Sequence, residues 1–406
     1  MADTTIESAI QAAIEAGKVN GAIICAADKQ GFTFEKAIGD RTLLSGEKKA
    51  HQPDDVLFLG SATKLIATIA ALQCVDDGLL SLDGDLSMLA PELTTKKVLT
   101  GFSDDGEPIL VPQEQAITLR MLLTHTSGVT YFFLDPLVAQ WRQKNPSKAT
   151  AENKLPVEEF CDTPLSFQPG KGWLYGPGID WAGRIVERAT GKTLGAFLRE
   201  RLFDPLGIKD GKFFPATENE ELKERLVNLT PDDPEAVGKA VVGSGPDMNS
   251  RGKGDFGGHG LFMTAPGYLT VLQSLLANDG KILKPETVDA MFGESHLTPE
   301  SEADLKQKLA GPAGIFFRVG TAPESAAGFG LGGLLTLEDV EGWYGKGTLT
   351  WGGGMTFAWF VDRKNGICGV GAILSKVPID IPAVGELKQV FRKDVYRKWI
   401  DWKQQR

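Results

Sequence analysis

The chain has little of the two residue types that most often hold a metal ion or a disulfide framework. Its 406 residues include four cysteines without a Cys-x-x-Cys pair and four histidines without His-x-His or His-x-x-x-His spacing. A disulfide scaffold and a multi-histidine metal site are therefore poorly supported. Cys25, Cys74 and Cys368 lie in apolar runs, which favours reduced core thiols. We predict neither a metal nor a cofactor.

Long apolar runs and an excess of positive charge are also absent. The longest apolar stretches, 65–72 and 21–27, are too short to cross a bilayer. Lys and Arg number 43 against 53 Asp and Glu, a net charge of −10 without basic runs. We therefore expect no nucleic-acid partner and no membrane partner. The N-terminal residues lack the basic and apolar regions of a secretory leader, so we expect a cytoplasmic protein.

The Gly-x-Ser-x-Gly elbow of α/β-hydrolases is missing too, but another serine arrangement is present. Ser61-Ala62-Thr63-Lys64 stands directly before the stretch 65–72, which has helical spacing and is followed by Gly78. Residues three apart on a helix share one face, so the Ser61 hydroxyl and the Lys64 amine would lie within reach of each other. Such a serine can be activated without a histidine. For this motif alone, a helix-capping serine beside a surface lysine is the alternative.

Two glycine-containing segments gain meaning beside this motif. Tyr175 precedes a Gly-Pro-Gly loop and a predicted helix, where a phenol near Lys64 could ionise and take the serine proton. The segment Trp-Gly-Gly-Gly at 351–354 ends a predicted strand, and its glycines would let a ligand approach backbone N–H groups. Taken singly, the first could be a core tyrosine that anchors a turn, and the second a bulge or a hairpin corner.

The ordered set of these motifs resembles the serine β-lactamase and penicillin-binding-protein superfamily from about residue 20 to 375. Two more phrases carry the resemblance, Gly-Leu-Leu-Ser-Leu-Asp at 78–83 and Leu-Leu-Thr-His-Thr-Ser-Gly at 122–128. No Lys-Thr-Gly or Lys-Ser-Gly occurs, the 351–354 segment stands in its place, and the tyrosine motif lacks its asparagine. This pattern is similar to the family VIII carboxylesterases and the fungal lovastatin-pathway acyltransferase. A β-lactamase role is therefore not the one expected.

The order of predicted elements agrees with the fold that this resemblance implies. Strands are predicted near both ends of the chain and helices between them. The predicted strands are Gly21–Asp28, Phe32–Ile38, Phe329–Leu337, Thr348–Trp351, Thr356–Asp362 and Gly366–Leu374. We expect an α+β, β-lactamase/transpeptidase-like fold, with one antiparallel sheet of N- and C-terminal strands flanked by helices. Residues 1–62 and 240–406 would form the sheet subdomain and 63–239 a mostly helical one, with the active site between them.

The resemblance also implies roles for single residues. Ser61 would be the nucleophile, and Lys64 and Tyr175 would form its base pair. The backbone N–H groups of Ser61 and Gly354 would form the oxyanion hole, while His125 would be structural. The residues predicted to bind substrate are Trp351, Gly352, Gly353, Tyr131, Trp173 and His259. For His259, a histidine packed within its glycine loop is the alternative.

Acyl transfer is the function that these roles imply. An ester or thioester would acylate Ser61, and the acyl group would pass to an alcohol on a small hydrophobic metabolite of secondary metabolism. A carboxylesterase with the same site is the alternative, and a β-lactamase-like scaffold with a binding or non-hydrolytic role is a further one. The expected partners are a small-molecule acyl donor and acceptor, with an acyl carrier protein or acyl-CoA as candidate donors. The aromatic-rich segment 129–173 could wall an apolar acceptor pocket or form ordinary helical core.

Overall fold

Strands from both ends of the chain form the main sheet of this protein. The computed structural model describes residues 4–43, 47–150, 152–214, 219–227, 251–312, 314–318, 321–322, 325–353, 357–376 and 379–406. In chain order the strands are β1 Val19–Asp28, β2 Thr33–Thr42, β3 Lys48–Ala50, β4 Leu57–Phe58, β5 Lys97–Phe102, β6 Pro108–Pro112, β7 Phe262–Met263, β8 Ala327–Phe329, β9 Leu334–Thr336, β10 Leu349–Gly353, β11 Phe357–Asp362 and β12 Ile367–Ser375.

Eight of these strands form one antiparallel sheet in the order β3-β2-β1-β12-β11-β10-β9-β8. β1 pairs with β2 on one side and with β12 on the other. The register aligns Ile23 with Ala372, so the first and the last strand of the chain are neighbours. The predicted α+β class, with one antiparallel sheet of N- and C-terminal strands, is confirmed.

Most of the described helices lie between β4 and β8. In chain order the helices are α1 Ile6–Glu15, α2 Thr63–Asp76, α3 Pro91–Thr94, α4 Leu119–Leu123, α5 Pro136–Lys144, α6 Val157–Phe160, α7 Gly178–Thr190, α8 Leu194–Leu198, α9 Glu220–Arg225, α10 Ala265–Ala277, α11 Pro285–Gly293, α12 Pro299–Ala310, α13 Gly314–Arg318 and α14 Ile381–Gln404. In the part of the chain that the structure describes, no helix is both long and apolar enough to cross a membrane.

The sheet is covered by helices on both faces, and its central strands carry the matching sequence pattern. β1 and β12 are buried along almost their whole length instead of alternating between buried and exposed positions. α1 and α14 cover one face, where Ile10 and Phe391 join one apolar cluster with Ile24 and Ile373. α10 packs against β1, β11 and β12 on the other. Strands that are buried on both faces need continuous apolar runs, which made these segments recognisable.

α2 is buried on all sides. Every residue from Thr63 to Cys74 is buried, so this helix has no polar face. It packs against α7, and Tyr268 of α10 donates a hydrogen bond to the Ala62 carbonyl at 3.0 Å. A helix that is apolar all round belongs in the interior of a large core. Residues at its N-terminus are therefore fixed by the surrounding elements.

Two local predictions are wrong. The segment 329–337, predicted as one strand, contains the end of β8, a tight turn and β9, because Gly330 N donates to Gly333 O and Gly332 has φ +107°. The hairpin of β5 and β6 lies in a stretch predicted as helical and loop-rich. Several of its apolar side chains are exposed, so its burial pattern is weak. The predicted boundary at 239/240 lies outside the described residues, and the division into subdomains stays a prediction.

A polar contact connects α4 to strand β8 of the main sheet through His296. Arg120 of α4 donates to both carboxylate oxygens of Asp83, at 2.8 and 2.7 Å, and to His296 Nδ1 at 2.7 Å. His296 Nε2 lies 2.7 Å from the Ala290 carbonyl, and its backbone N–H donates to Phe329 O of β8. One ring nitrogen accepts and the other donates, which is the bonding of a neutral imidazole. Burial, together with the Arg120 charge, lowers the pKa of His296.

We expect His296 to make the fold sensitive to acid. An unfolded histidine has a pKa of about 6.5, and the folded value is lower, so unfolding takes up a proton as the pH falls below that range. The stability of this contact is therefore present near neutral pH and lost in acid. His296→Gln keeps an acceptor for Arg120 and a donor for Ala290 but does not titrate. Its melting temperature should fall less steeply than that of the wild type from pH 7.5 to 5, and parallel curves would contradict this expectation.

Candidate active site

Ser61 and Lys64 meet at the N-terminus of α2. Ser61 lies in the 3-10 turn Gly60–Ala62, which runs directly into the helix. Lys64 Nζ lies 3.5 Å from Ser61 Oγ, so the spacing of the two residues does bring them to one face. The lysine side chain is buried, with only 1% of its residue surface exposed. A buried amine beside a serine hydroxyl is an arrangement that can activate a nucleophile without histidine.

The Lys64 ammonium is surrounded by groups from distant parts of the chain. Nζ donates to the Gly258 carbonyl at 2.7 Å and to Tyr131 Oη at 3.1 Å. Together with Ser61 Oγ, these acceptors match the three N–H donors that an ammonium has. The ring of Tyr175 lies 4.7 Å from Nζ, which is a cation–π distance. The protein thus supplies polar partners to a charge that has been removed from water.

Tyr131 contacts Lys64 as a neutral phenol. Removal of its hydroxyl from water, together with the nearby Asp180 carboxylate, raises the pKa of Tyr131 well above its usual range. Its ring stacks on Phe133 with a centroid distance of 5.4 Å. The sequence predicted Tyr131 as a substrate-binding residue, and the structure places its hydroxyl on Lys64. Its contact with substrate stays a prediction.

Tyr175 lies in the loop directly before α7 and presents its ring to Lys64. The ring also contacts those of His125 at 4.8 Å and Trp351 at 5.3 Å. Its hydroxyl is buried and has no hydrogen-bond partner in the part of the chain that the structure describes. A buried unpaired hydroxyl is costly, so this group is available to Ser61 or to a substrate oxygen. The role of Tyr175 as the base stays a prediction.

The segment 122–128 supports the loop that carries Tyr175. His125 adopts φ +61°, which few residues other than glycine do. Its carbonyl accepts from Leu174 N at 3.1 Å, and its Nδ1 accepts from Gly176 N at 3.4 Å. Burial, followed by the Lys64 charge, lowers the pKa of His125 well below its usual range. His125 is therefore neutral, and its hydrogen bonds to Leu174 and Gly176 hold the loop that carries Tyr175.

The end of β10 lies directly beside the nucleophile. A Cβ on Gly353 would stand 1.9 Å from Leu59 O and 2.9 Å from Ser61 N, so only glycine allows this approach. The Ser61 N–H and the end of the strand thus lie together, where the oxyanion hole is predicted. Gly354, the predicted second donor, lies outside the described residues, and the hole stays a prediction.

The other predicted substrate-binding residues are buried. Trp351 is buried against Tyr175, and Gly352 pairs with Ala358 of the next strand. Trp173 is fully buried against Phe317, with a centroid distance of 5.2 Å, so it supports the wall of the site from behind.

His259 is buried as well, and its ring stacks on that of Phe256 at 5.2 Å. The placement agrees with a histidine packed in its glycine loop. The binding roles of these residues, Trp351, Gly352, Gly353, Trp173 and His259, remain predictions.

Gly258 is the residue of this site that the sequence did not predict. Its contribution is a backbone carbonyl, which every residue has and which therefore leaves no signal in the sequence. The run of glycines around it was the one available hint. Within the described ranges, no group of three His, Cys, Asp or Glu side chains could hold a metal ion.

Comparison with known proteins adds relatives that match nearly the whole chain. The family model described as Beta-lactamase matches residues 6–379. A lovastatin esterase from Penicillium rubens is 60% identical over 403 residues, which cover 98% of this chain and 100% of that protein. A monacolin J acid methylbutanoyltransferase from Aspergillus terreus is 35% identical over 400 residues, covering 97% of this chain and 95% of that protein.

Solved structures match to a similar extent. Unliganded simvastatin synthase from Aspergillus terreus superposes with a TM-score of 0.83 at 34% identity, covering 97% of this chain and 98% of that one. A mutant of the same enzyme gives a TM-score of 0.85 at 35% identity, covering 98% and 97%.

The two tyrosines of the site should differ in their importance. Tyr175→Phe removes the unpartnered hydroxyl, and as a lost general base it should lower kcat/KM by at least about 10²-fold. Tyr131→Phe removes one acceptor of Lys64 and should cost about tenfold. Hydrolysis of p-nitrophenyl butyrate would measure both, with melting temperatures as the control. A larger loss in Tyr131→Phe would assign the base to Tyr131 instead.

The approach of β10 to Ser61 should not tolerate a side chain. Gly353→Ala places a methyl group against Leu59 O and Ser61 N, so the strand end must move away from the nucleophile. Loss of one oxyanion donor typically costs about 10²–10³ in kcat, and we expect a loss of that order. Gly293→Ala is the matched control, because nothing lies within 4 Å of its Cβ position. Equal activity of the two variants would show that this close approach is not required.

Proposed function

The chain belongs to the beta-lactamase family, as its motifs predicted, and we propose that it is a serine esterase that cleaves an apolar ester of the lovastatin type. Its relatives include an esterase and an acyltransferase. The observation that carries the proposal is the buried Lys64 ammonium, bonded between Ser61 Oγ, Tyr131 Oη and Gly258 O. A protein that only binds a ligand has no use for such an arrangement beside a serine.

Acylation would use Tyr175 as the proton carrier. Its ionised hydroxyl, stabilised by the Lys64 ammonium, would take the proton of Ser61 Oγ as this oxygen attacks the ester carbonyl. The negative charge would pass to the carbonyl oxygen, which faces the Ser61 N–H and the end of β10. When the tetrahedral intermediate collapses, the leaving alcohol would take the proton back from Tyr175. Ser61 would then carry the acyl group.

Deacylation would follow the same route in reverse. A water molecule would give its proton to Tyr175 while its oxygen attacks the acyl carbonyl. Collapse of this second intermediate would release the carboxylic acid, and Ser61 Oγ would recover the proton from Tyr175. Neither step needs a histidine, which agrees with the neutral and structural state of His125.

The surface next to the site supports an apolar substrate. Phe133 stacks on Tyr131 and is 66% exposed, and Phe132 beside it is 45% exposed. Exposed aromatic side chains that continue from a catalytic residue commonly mark a ligand-binding surface. The 60% identical relative is named for a lovastatin ester, which is an apolar substrate of this kind.

Acyl transfer to an alcohol is the second candidate, and the sequence favoured it over hydrolysis. The specific observation in its favour is the 35% identity, over nearly the full length of both chains, to a monacolin J acid methylbutanoyltransferase. We place hydrolysis first because the identity to a lovastatin esterase is 60% over an equally complete alignment. An acyl carrier protein or acyl-CoA as the donor belongs to this second candidate.

Incubation of the protein with lovastatin tests the proposal. With the ring-opened acid form of lovastatin, we expect monacolin J acid and methylbutanoate as products, and a methylbutanoyl adduct on the intact protein by mass spectrometry. Ser61→Ala should show neither product nor adduct. A parallel reaction with monacolin J acid and a methylbutanoyl thioester measures transfer. Transfer faster than hydrolysis would move the second candidate to first place. The absence of any adduct or product in both reactions would overturn acyl-enzyme chemistry for these substrates.

A further inference from the structure

A glycine loop is packed between the two helices that form the floor of the site. A Cβ on Gly257 would lie 2.7 Å from Ile179 O of α7 and 3.0 Å from Ala67 Cβ of α2. The next residue, Gly258, supplies the carbonyl that accepts from Lys64 at 2.7 Å. The position of this carbonyl is therefore set by what holds the loop against α7.

Asp180, in the first turn of α7, is the group that holds it. Its Oδ1 accepts a hydrogen bond from Gly258 N at 2.8 Å. A Cβ on Gly258 would stand 2.1 Å from Asp180 Oδ2, so the carboxylate occupies the space that a side chain would need. Asp180 is only 1% exposed. Gly258 thus donates its N–H to Asp180 and accepts a hydrogen bond from Lys64 at its carbonyl.

The second carboxylate oxygen points to an electrostatic role. Asp180 Oδ2 is buried and has no hydrogen-bond partner among the residues that the structure describes. The direct hydrogen-bond partners of Lys64 are a carbonyl and two hydroxyl oxygens, all of them neutral acceptors. A buried charge that lacks an opposite charge is strongly disfavoured. The Asp180 carboxylate is buried and is connected to the Lys64 ammonium through Gly258, which bonds to both. Asp180 can therefore supply the opposite charge.

We infer that Asp180 is a positioning residue that sets the Gly258 carbonyl on Lys64 and supplies the buried counter-charge of the Lys64 ammonium. This inference rests on the proposed function. Asp180 touches neither Ser61 nor a reacting atom. It acts through Gly258 and through its negative charge.

The inference has a definite sign for the pH dependence. The titratable groups around Lys64 are Tyr131 and Tyr175, His125 below them, Asp180 on α7 and Cys161 after α6. Burial and the Asp180 charge raise the pKa of both Tyr131 and Cys161, and burial lowers the pKa of His125. The proposed mechanism uses the Lys64 ammonium in its charged form, and the nearby negative charge of Asp180 stabilises that form. We therefore expect the alkaline limb of the pH profile of a variant without this charge to move to lower pH.

Asp180→Asn is the variant that tests it. Asparagine keeps an oxygen for the Gly258 N–H and nearly the same shape, but it carries no charge. Asp255→Asn is the matched control, because Asp255 lies three residues before Gly258 and its carboxylate accepts from Gly195 N, also at 2.8 Å. The readout is the rate of Ser61 phosphonylation by a fluorophosphonate between pH 5 and 10, followed by intact mass. Hydrolysis of p-nitrophenyl butyrate would be measured in parallel.

For Asp180→Asn we expect a rate loss of about tenfold near neutral pH and a shift of the alkaline limb by about one pH unit to lower pH. Asp255→Asn should keep the wild-type profile. A profile of Asp180→Asn that matches wild type would overturn the inference, as would an equal shift in the control. If Asp180→Asn does not fold, Asp180→Ser, which has a hydroxyl acceptor and no charge, carries the same expectation. If wild type itself is neither phosphonylated nor active on esters, the proposed function fails and not the role of Asp180.

Discussion

The constraint on which this site depends is the burial of one ammonium group. Lys64 is removed from water at the N-terminus of a helix that has no polar face. Such a charge is strongly disfavoured unless polar groups replace its hydration. Those groups come from residues 61, 131 and 258, with the ring of residue 175 on the remaining side. A buried lysine can therefore exist here only because the fold brings four separate segments to one point.

The close approach of these segments explains where the chain uses glycine. Gly353 lets β10 reach Ser61, and Gly257 and Gly258 let a loop pass between α2 and α7. The Tyr175 loop is supported in the same way, because a Cβ on Gly176 would stand 2.1 Å from Val129 O. The sheet closes the arrangement, since pairing of β1 with β12 joins the two ends of the chain around the helical part. At these four positions glycine is required because atoms of another segment occupy the space of a side chain.

The sequence predicted the parts of this structure that depend on local pattern. Apolar strands at both ends of the chain, the helix after Ser61 and the ordered motifs around Lys64 and Tyr175 leave direct signals, and the fold class followed from them. The carbonyl of Gly258 and the hydroxyl of Tyr131 on Lys64 left none, because a hydrogen bond between residues 64 and 258 depends on the packing of α2 against α7. The β5–β6 hairpin was not predicted, because several of its apolar residues are exposed and its sequence shows neither the pattern of a buried strand nor that of an amphipathic helix.

Hydrolysis and acyl transfer require the same groups in this site. In both of the proposed reactions Ser61 would carry the acyl group, and water or an alcohol would give its proton to the same base. The motifs around Ser61, Lys64 and Tyr175 are therefore equally suited to either reaction. The difference must lie in which hydroxyl compound reaches the acyl-enzyme. The exposed rings of Phe132 and Phe133 lie next to Tyr131. We expect an apolar alcohol to bind against them and to compete there with water. We therefore expect the choice of acceptor to depend on the apolar surface beside Tyr131 and on how well it excludes water, and not on the residues proposed to be catalytic.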